Sequence, residues 1–252
     1  MTTTRAITVC NDGDALSRRA AALFLEEAAQ AILARGRFVV ALAGGSTPEK
    51  TYEMLAQAEN AERIQWDKVF CFFGDERFVS PENADSNFGM ARKALLSRVP
   101  LPEANLFTVK TDAPTAKEAA ADYERQISEF FGMKLLEAPP AFDLILLGLG
   151  DDGHTASLFP GKTSLDARDR WVVETPPGTL PPPVDRITFT FPLINAAHHV
   201  VFLVSGAKKA EILRDVLESD PAHNDYPAAN ITPTQGFLTW LIDRDAASKL
   251  DK

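Results

Sequence analysis

Cysteine is nearly absent from this chain, with two residues, Cys10 and Cys71, among 252. Two thiols are too few for a disulfide framework. Cys71 falls inside the apolar run VFCFFG and reads as a buried free thiol. Basic residues are also in the minority: 26 Lys and Arg face 35 Asp and Glu, for a formal net charge of -9. That balance argues against a broad nucleic-acid or anionic-membrane surface, which needs a basic face. It leaves room for an anionic small molecule, because local cations act within a screened range of about 8 Å. No apolar run approaches membrane-spanning length, and MTTTRAITVC lacks the basic start and long apolar core of a leader. The expectation is a soluble, cytoplasmic protein with neither nucleic-acid nor membrane partners. Internal repeats at solenoid periods and long low-complexity linkers are missing too.

What is present is a 45% hydrophobic chain, enough for one large α/β domain or two small ones. Short apolar runs alternate with helical ones. AITVC reads as a strand, followed by a helix over 14–35 with Leu16, Leu23, Phe24, Ile32 and Leu33 in rough helical register and Gly36 at its end. FVVALA is the next strand, then GGSTP and a helix from Pro48. KVFCFFGDE reads as one strand and SNFGMARKALLSRV as one helix, with a further helix over 115–132. FDLILLGLG, RWVVE, RITFTF and HVVFLVSG supply later strands, and helices are expected at 207–218 and about 234–248. Apolar strands between helices signal a parallel sheet covered on both faces. The expected fold is α/β: three α/β/α layers around a mostly parallel, Rossmann-like sheet, in a single domain over 1–252. The proline-rich TPPGTLPPPVDR, 175–186, then reads as a stiff surface loop.

In an open parallel sheet every strand-to-helix turn lies at the carboxyl edge, where ligands bind. Four such turns here carry unusual residues: 44–47, 74–77, 150–154 and 206–209. Gly44, Gly45, Ser46 and Thr47 put small residues and two hydroxyls at a helix start, which suits a phosphate cradle or a capped tight turn. It is not a Walker loop, since no Gly-Lys-Ser/Thr follows, and Pro48 rules out a nucleophile elbow. Asp75, Glu76 and Arg77 directly after a buried strand make either a solvated turn or an active-site edge. The planar fork of Arg77 suits phosphate or carboxylate. Lys208 and Lys209 oppose a helix dipole, at a cost of about a few tenths of a kcal/mol that an anionic ligand would offset. A solvent-facing pair is the alternative.

The fourth turn, GLGDDGHTAS, satisfies the dinucleotide fingerprint G-x-G-x-x-G, and Glu174 follows at about the spacing of a ribose-binding acid. Asp151 and Asp152 would repel a pyrophosphate, however, and the helix expected at 154–159 is cut short by Pro160-Gly161. The glycines more plausibly let the backbone turn sharply and aim His154 at the sheet edge as a general base. His198 and His199 precede a strand and His223 lies in a loop, none of them at metal-ligand spacing.

LAGGSTPEKTYEML, FFGDERFVSPENADSNFGMARKALL, FDLILLGLGDDGHTASLFPG, RITFTFPLIN and FLVSGAKKAEIL, in that order, resemble the 6-phosphogluconolactonase family. The likeness continues into PAANITPTQGFLTWLID. It implies hydrolysis of 6-phospho-D-glucono-1,5-lactone to 6-phosphogluconate in the oxidative pentose phosphate pathway, without metal or organic cofactor. The related glucosamine-6-phosphate deaminases resemble DEY where this chain has Asp75-Glu76-Arg77, and carry a glutamate shortly after the histidine where this chain has HTASLFPG. The resemblance implies His154 as base, with Asp152 or Asp151 orienting it. Gly44, Gly45, Ser46, Thr47 and Lys209 would hold the 6-phosphate, Asp75 would meet sugar hydroxyls, and Arg77 would clamp phosphate or sugar or serve the oxyanion. Arg186 is either a further ligand contact or a structural pairing at a strand start. A deaminase or isomerase and a non-catalytic sugar-phosphate sensor are the other classes, and the expected assembly is a monomer or weak homodimer.

Overall fold

The computed structural model describes residues 4–134, 138–179, 181–219 and 225–251. It begins β1 (Thr4–Cys10), α1 (Gly13–Arg35), β2 (Phe38–Leu42), α2 (Ser46–Leu55), α3 (Ala58–Ala61) and β3 (Val69–Phe73). Next come β4 (Asp75–Arg77), α4 (Asn87–Ala91), α5 (Ala116–Phe131), β5 (Leu144–Leu147) and β6 (Val172–Thr175). The last elements are β7 (Arg186–Phe189), α6 (Phe191–Asn195), β8 (His199–Val204), α7 (Ala210–Glu218) and β9 (Phe237–Asp243). The long helices start and stop where side chains satisfy their orphan backbone groups. Asp12 accepts from the Ala15 amide at 2.7 Å to open α1, and Gly36, at φ 73°, closes it in a conformation that favours glycine. Thr115 and Gly132 bracket α5 in the same way.

Six strands form a sheet in the order β1-β9-β8-β5-β2-β3. Every pair in it is parallel, as the apolar runs imply. One buried cluster, including Leu16, Phe24, Val40 and Tyr52, packs the sheet against α1 and α2. The other, including Phe72, Tyr123, Phe202 and Trp240, packs it against α5 and α7. Three layers result. Cys71 is a free thiol in the first cluster, and burial pushes its pKa up to about 12.

Five expectations about elements need correction. Residues 234–248 are not helical: Phe237–Asp243 is β9, in register between β1 and β8, with Trp240 stacked on Phe202 at 3.8 Å. A strand covered on both faces has a continuous apolar run, which periodicity does not separate from a buried helix. RWVVE and RITFTF do not join the parallel sheet; β6 and β7 pair antiparallel with β4 in a second, three-stranded sheet. KVFCFFGDE is two strands, because the chain crosses at Gly74 from β3 of one sheet to β4 of the other. SNFGMARKALLSRV is the short α4 followed by a π turn over Arg92–Leu96. No helix forms at 154–159, where Ala156 takes the left-handed φ of 47°. The proline-rich segment after β6 leads into β7, with Leu180 outside the described residues. Among the described residues no helix is long and apolar enough to cross a membrane.

Candidate active site

The four turns, far apart in sequence, converge at the carboxyl edge around a cavity of about 320 Å³. Its floor is the end of the strands, and its walls are the turns themselves. The 44–47 turn leads into α2, whose N-cap is Gly45 at φ 104° with no side-chain cap. Neither Ser46 nor Thr47 takes up the capping role, so the first amides of α2 stay open for a ligand. Gly44 must be glycine here: an added Cβ would sit 1.8 Å from Asn87 Oδ1.

Strand alternation sorts the three charges of β4. Asp75 and Arg77 line the cavity, whereas Glu76 points away from it. Glu76 accepts from the amides of Arg77, Asn87 and Phe88 at 2.7–2.8 Å, bracing the start of α4, and burial raises its pKa against those bonds. Asp75 Oδ2 accepts from the Ser157 hydroxyl at 2.6 Å, and Asn87 Nδ2 donates to the Asp75 carbonyl at 2.9 Å. Arg77 donates from Nη1 to the Asp85 carbonyl at 2.6 Å and leaves Nε buried without a partner.

Arg186 stands directly opposite Arg77 in the antiparallel register of β4 and β7. It is 3% exposed and donates to the carbonyls of Val184 (3.1 Å) and Pro182 (2.8 Å). Its burial, followed by the Arg77 charge, lowers its pKa below the ordinary arginine value. Among the described residues neither guanidinium has a carboxylate ion-pair partner. Two adjacent guanidiniums with only carbonyl acceptors make a wall suited to an anion.

His154 reaches the cavity from a loop closed on itself. The Gly150 amide donates to the His154 carbonyl at 2.9 Å, and the Gly153 amide to the Gly150 carbonyl at 3.0 Å. Gly153, at φ 77°, packs where a Cβ would strike Tyr226. His154 Nδ1 lies 2.5 Å from Asp152 Oδ1, and its ring rests on Phe159 with centroids 4.6 Å apart. Burial acts to raise the Asp152 pKa, but the bonds from His154 outweigh it and hold the carboxyl below its usual value. An ionised Asp152 on Nδ1 fixes the tautomer that leaves Nε2 as the basic nitrogen. Asp151 instead pairs with Lys209, which lines the cavity, while Lys208 faces a neighbouring groove.

Glu174 sits exposed on β6 outside the cavity, so the acid of the dinucleotide fingerprint is not at this site. His199 lies at the start of β8, bonded to Glu27 and Thr239, and His223 lies outside the described residues. Among the described residues no group of three or more His, Cys, Asp or Glu side chains could hold a metal.

A family model described as glucosamine-6-phosphate isomerases/6-phosphogluconolactonase matches residues 11–240. This chain belongs to that family. The family members it resembles include a 6-phosphogluconolactonase of Nostoc sp., 43% identical over 98% of both chains. The human 6-phosphogluconolactonase is 38% identical over 97% of this chain and 93% of its own length. Among solved structures, 6-phosphogluconolactonase from Trypanosoma cruzi superposes with a TM-score of 0.88 at 30% identity, covering 100% of this chain and 99% of the other. Three residues that build this family member's site escape the sequence reading: Asn87, Ser157 and Asp243. Asp243 accepts from the Gly206 amide (3.0 Å) and the Ser205 hydroxyl (2.5 Å), and so holds the turn that presents Lys209. Its position one residue past an apolar run would have marked it, had that run been read as a strand.

Proposed function

We propose that this chain hydrolyses 6-phospho-D-glucono-1,5-lactone to 6-phospho-D-gluconate, with His154 as general base. The observation that carries the reading is the His154–Asp152 pair at 2.5 Å, facing a cavity whose other walls hold Lys209, Arg77 and Arg186. Water attacks C1 of the lactone, Nε2 of His154 takes its proton, and the proton then passes to the ring oxygen as the C1–O bond breaks. The open amides at the start of α2, with Ser46, Thr47 and Lys209, receive the 6-phosphate as Asp151 yields the ammonium. Arg77, with its unpartnered Nε, faces the developing oxyanion, Arg186 reinforces it, and Asp75 meets ring hydroxyls. Where a deaminase-like run carries an acid after the histidine, this chain has Ser157, already engaged with Asp75.

The same reading takes residues 1–252 as one domain, supported by the crossing at Gly74 that ties the two sheets together. It also takes the protein to be cytoplasmic and a monomer or weak homodimer; a stable higher oligomer in sedimentation would overturn the last point.

The test is acid release from freshly generated lactone at slightly acid pH, run beside ammonia release from glucosamine 6-phosphate. Lactone turnover without ammonia is expected. His154→Ala is expected to lower kcat by about 10²–10⁴-fold while 6-phosphogluconate still binds. Ammonia alone would replace the reading with a deaminase, and wild-type turnover by the alanine variant would remove His154 as base.

A further inference from the structure

The two turns that open the cavity on one side leave adjacent parallel strands, β2 and β3, whose register ends at Leu42 opposite Phe73. The last main-chain link between them is the Gly74 amide donating to the Leu42 carbonyl at 3.0 Å. Beyond that point Gly74 passes to the second sheet, its carbonyl accepting from the Phe189 amide at 2.8 Å, and among the described residues Ala43 and Phe73 keep no strand neighbour on their outer sides. Ala43 lies one residue past β2, and the pairing of β2 with β5 already stops at Ala41. Phe73 ends β3, the edge strand of the sheet. A buried amide or carbonyl without a partner is costly, so such groups are nearly always bonded.

Each end is closed by one phenol. The Ala43 amide donates to Tyr52 Oη at 2.9 Å, and the same hydroxyl donates back to the Ala43 carbonyl at 2.9 Å. The Phe73 amide donates to Tyr123 Oη at 2.7 Å, and that hydroxyl faces the carbonyls of Phe73 at 3.2 Å and Phe107 at 3.4 Å. A phenol has one donor and ready acceptor lone pairs, so it can serve both groups of one residue, as a strand neighbour would. Tyr52 comes from α2 on one face of the sheet and Tyr123 from α5 on the other, both no more than 1% exposed. The same clasp is therefore built twice, from opposite faces, immediately before residues 44–47 and 74–77. Burial pushes both phenols far above their ordinary pKa, so both stay neutral donors in any working buffer.

We propose that Tyr52 and Tyr123 are positioning residues: by clasping Ala43 and Phe73 they fix the direction in which the phosphate turn and the Asp75–Arg77 strand enter the site. The proposal rests on the hydrolase reading above for the identity of the ligand. Tyr52→Phe and Tyr123→Phe remove the hydroxyls at nearly constant volume, and Ile127→Val, in the buried face of α5, is a control for stability loss alone. Tyr52→Phe is expected to raise KM for the lactone, and Kd for 6-phosphogluconate by calorimetry, about tenfold with kcat little changed. Tyr123→Phe is expected to lower kcat about tenfold with a smaller change in Kd. Constants that match those of Ile127→Val in both variants would overturn the proposal.

A wild-type chain that binds 6-phosphogluconate without hydrolysing the lactone would overturn the hydrolase reading, and Kd would still decide the clasp at Tyr52. In the wild-type chain, slow hydrogen exchange at the Ala43 and Phe73 amides is expected. Fast exchange at both would overturn the clasp whatever the variants do.

Discussion

At the residue scale, the site depends on absent side chains as much as on present ones. A Cβ on Gly150 would lie 2.0 Å from His154 Nδ1 and 2.2 Å from Cε1, so the ring itself would have to move. That ring is already held by Asp152 and Phe159, and a displacement of about 1 Å in a catalytic group costs up to 10²-fold in rate. Gly150→Ala is therefore expected to lower kcat by about 10²-fold and to leave KM within about threefold, because the 44–47 turn proposed to hold the phosphate follows another strand. Steady-state kinetics on the lactone checks it, and an unchanged kcat would mean the His154–Asp152 geometry does not limit the reaction. Two of the glycines that invite a dinucleotide reading of this loop thus have a different physical use: Gly150 clears space for an imidazole, and Gly153 turns the backbone at φ 77° against Tyr226.

At the element scale, the small antiparallel sheet has to be fastened to the rest of the molecule, since β7 carries Arg186. Glu124 of α5 does this. It is 1% exposed and accepts from Arg170 Nε at 2.8 Å and Nη2 at 2.5 Å, and from the Trp171 amide at 2.6 Å, at the start of β6. Glu124→Ala leaves the buried Trp171 amide without its acceptor, while the half-exposed Arg170 guanidinium turns to solvent, and is expected to cost about 1–3 kcal/mol in urea unfolding. A loss below about 1 kcal/mol would mean that β6 is held by its apolar contacts alone.

The same scale explains what the sequence reading reached and missed. The strands β2, β3, β5 and β8 are legible as short apolar runs between helices, and α1 is legible from its periodicity and Gly36. The four turns follow, because parallel connections force them to one edge. β9 reads as a helix because its buried run Trp240, Leu241 and Ile242, covered on both faces, shows no alternation. The pairing of β4, β6 and β7 was missed because antiparallel partners leave no local mark in runs this short. Ser157 meets Asp75 across 82 positions, and Tyr123 meets Phe73 across 50, so neither contact has a signature within one window. Gly44 was legible as a turn residue, but its pressing neighbour Asn87 was not.

At the scale of the whole molecule, the charges of protein and site oppose each other. The chain carries a formal -9, while Arg77, Arg186 and Lys209 face the cavity. Under the proposed reading an anionic lactone must cross a field that repels it to reach one that attracts it. The two fields have different ranges. At about 0.01 M salt the Debye length is roughly 30 Å, larger than the roughly 18 Å radius of gyration of a chain this long, so the ligand feels the whole charge. At about 0.15 M it falls to roughly 8 Å, and only groups near the cavity mouth still act. Raising salt from the lowest value should first relieve repulsion and then weaken the local attraction. Accordingly, kcat/KM for the lactone is expected to rise, pass a maximum at intermediate ionic strength and fall beyond it. Lys209→Met should remove most of the falling limb and leave the rising one. A steady fall from the lowest salt would mean that the cavity cations dominate at every distance. A steady rise would mean that Lys209 does not meet the phosphate at all.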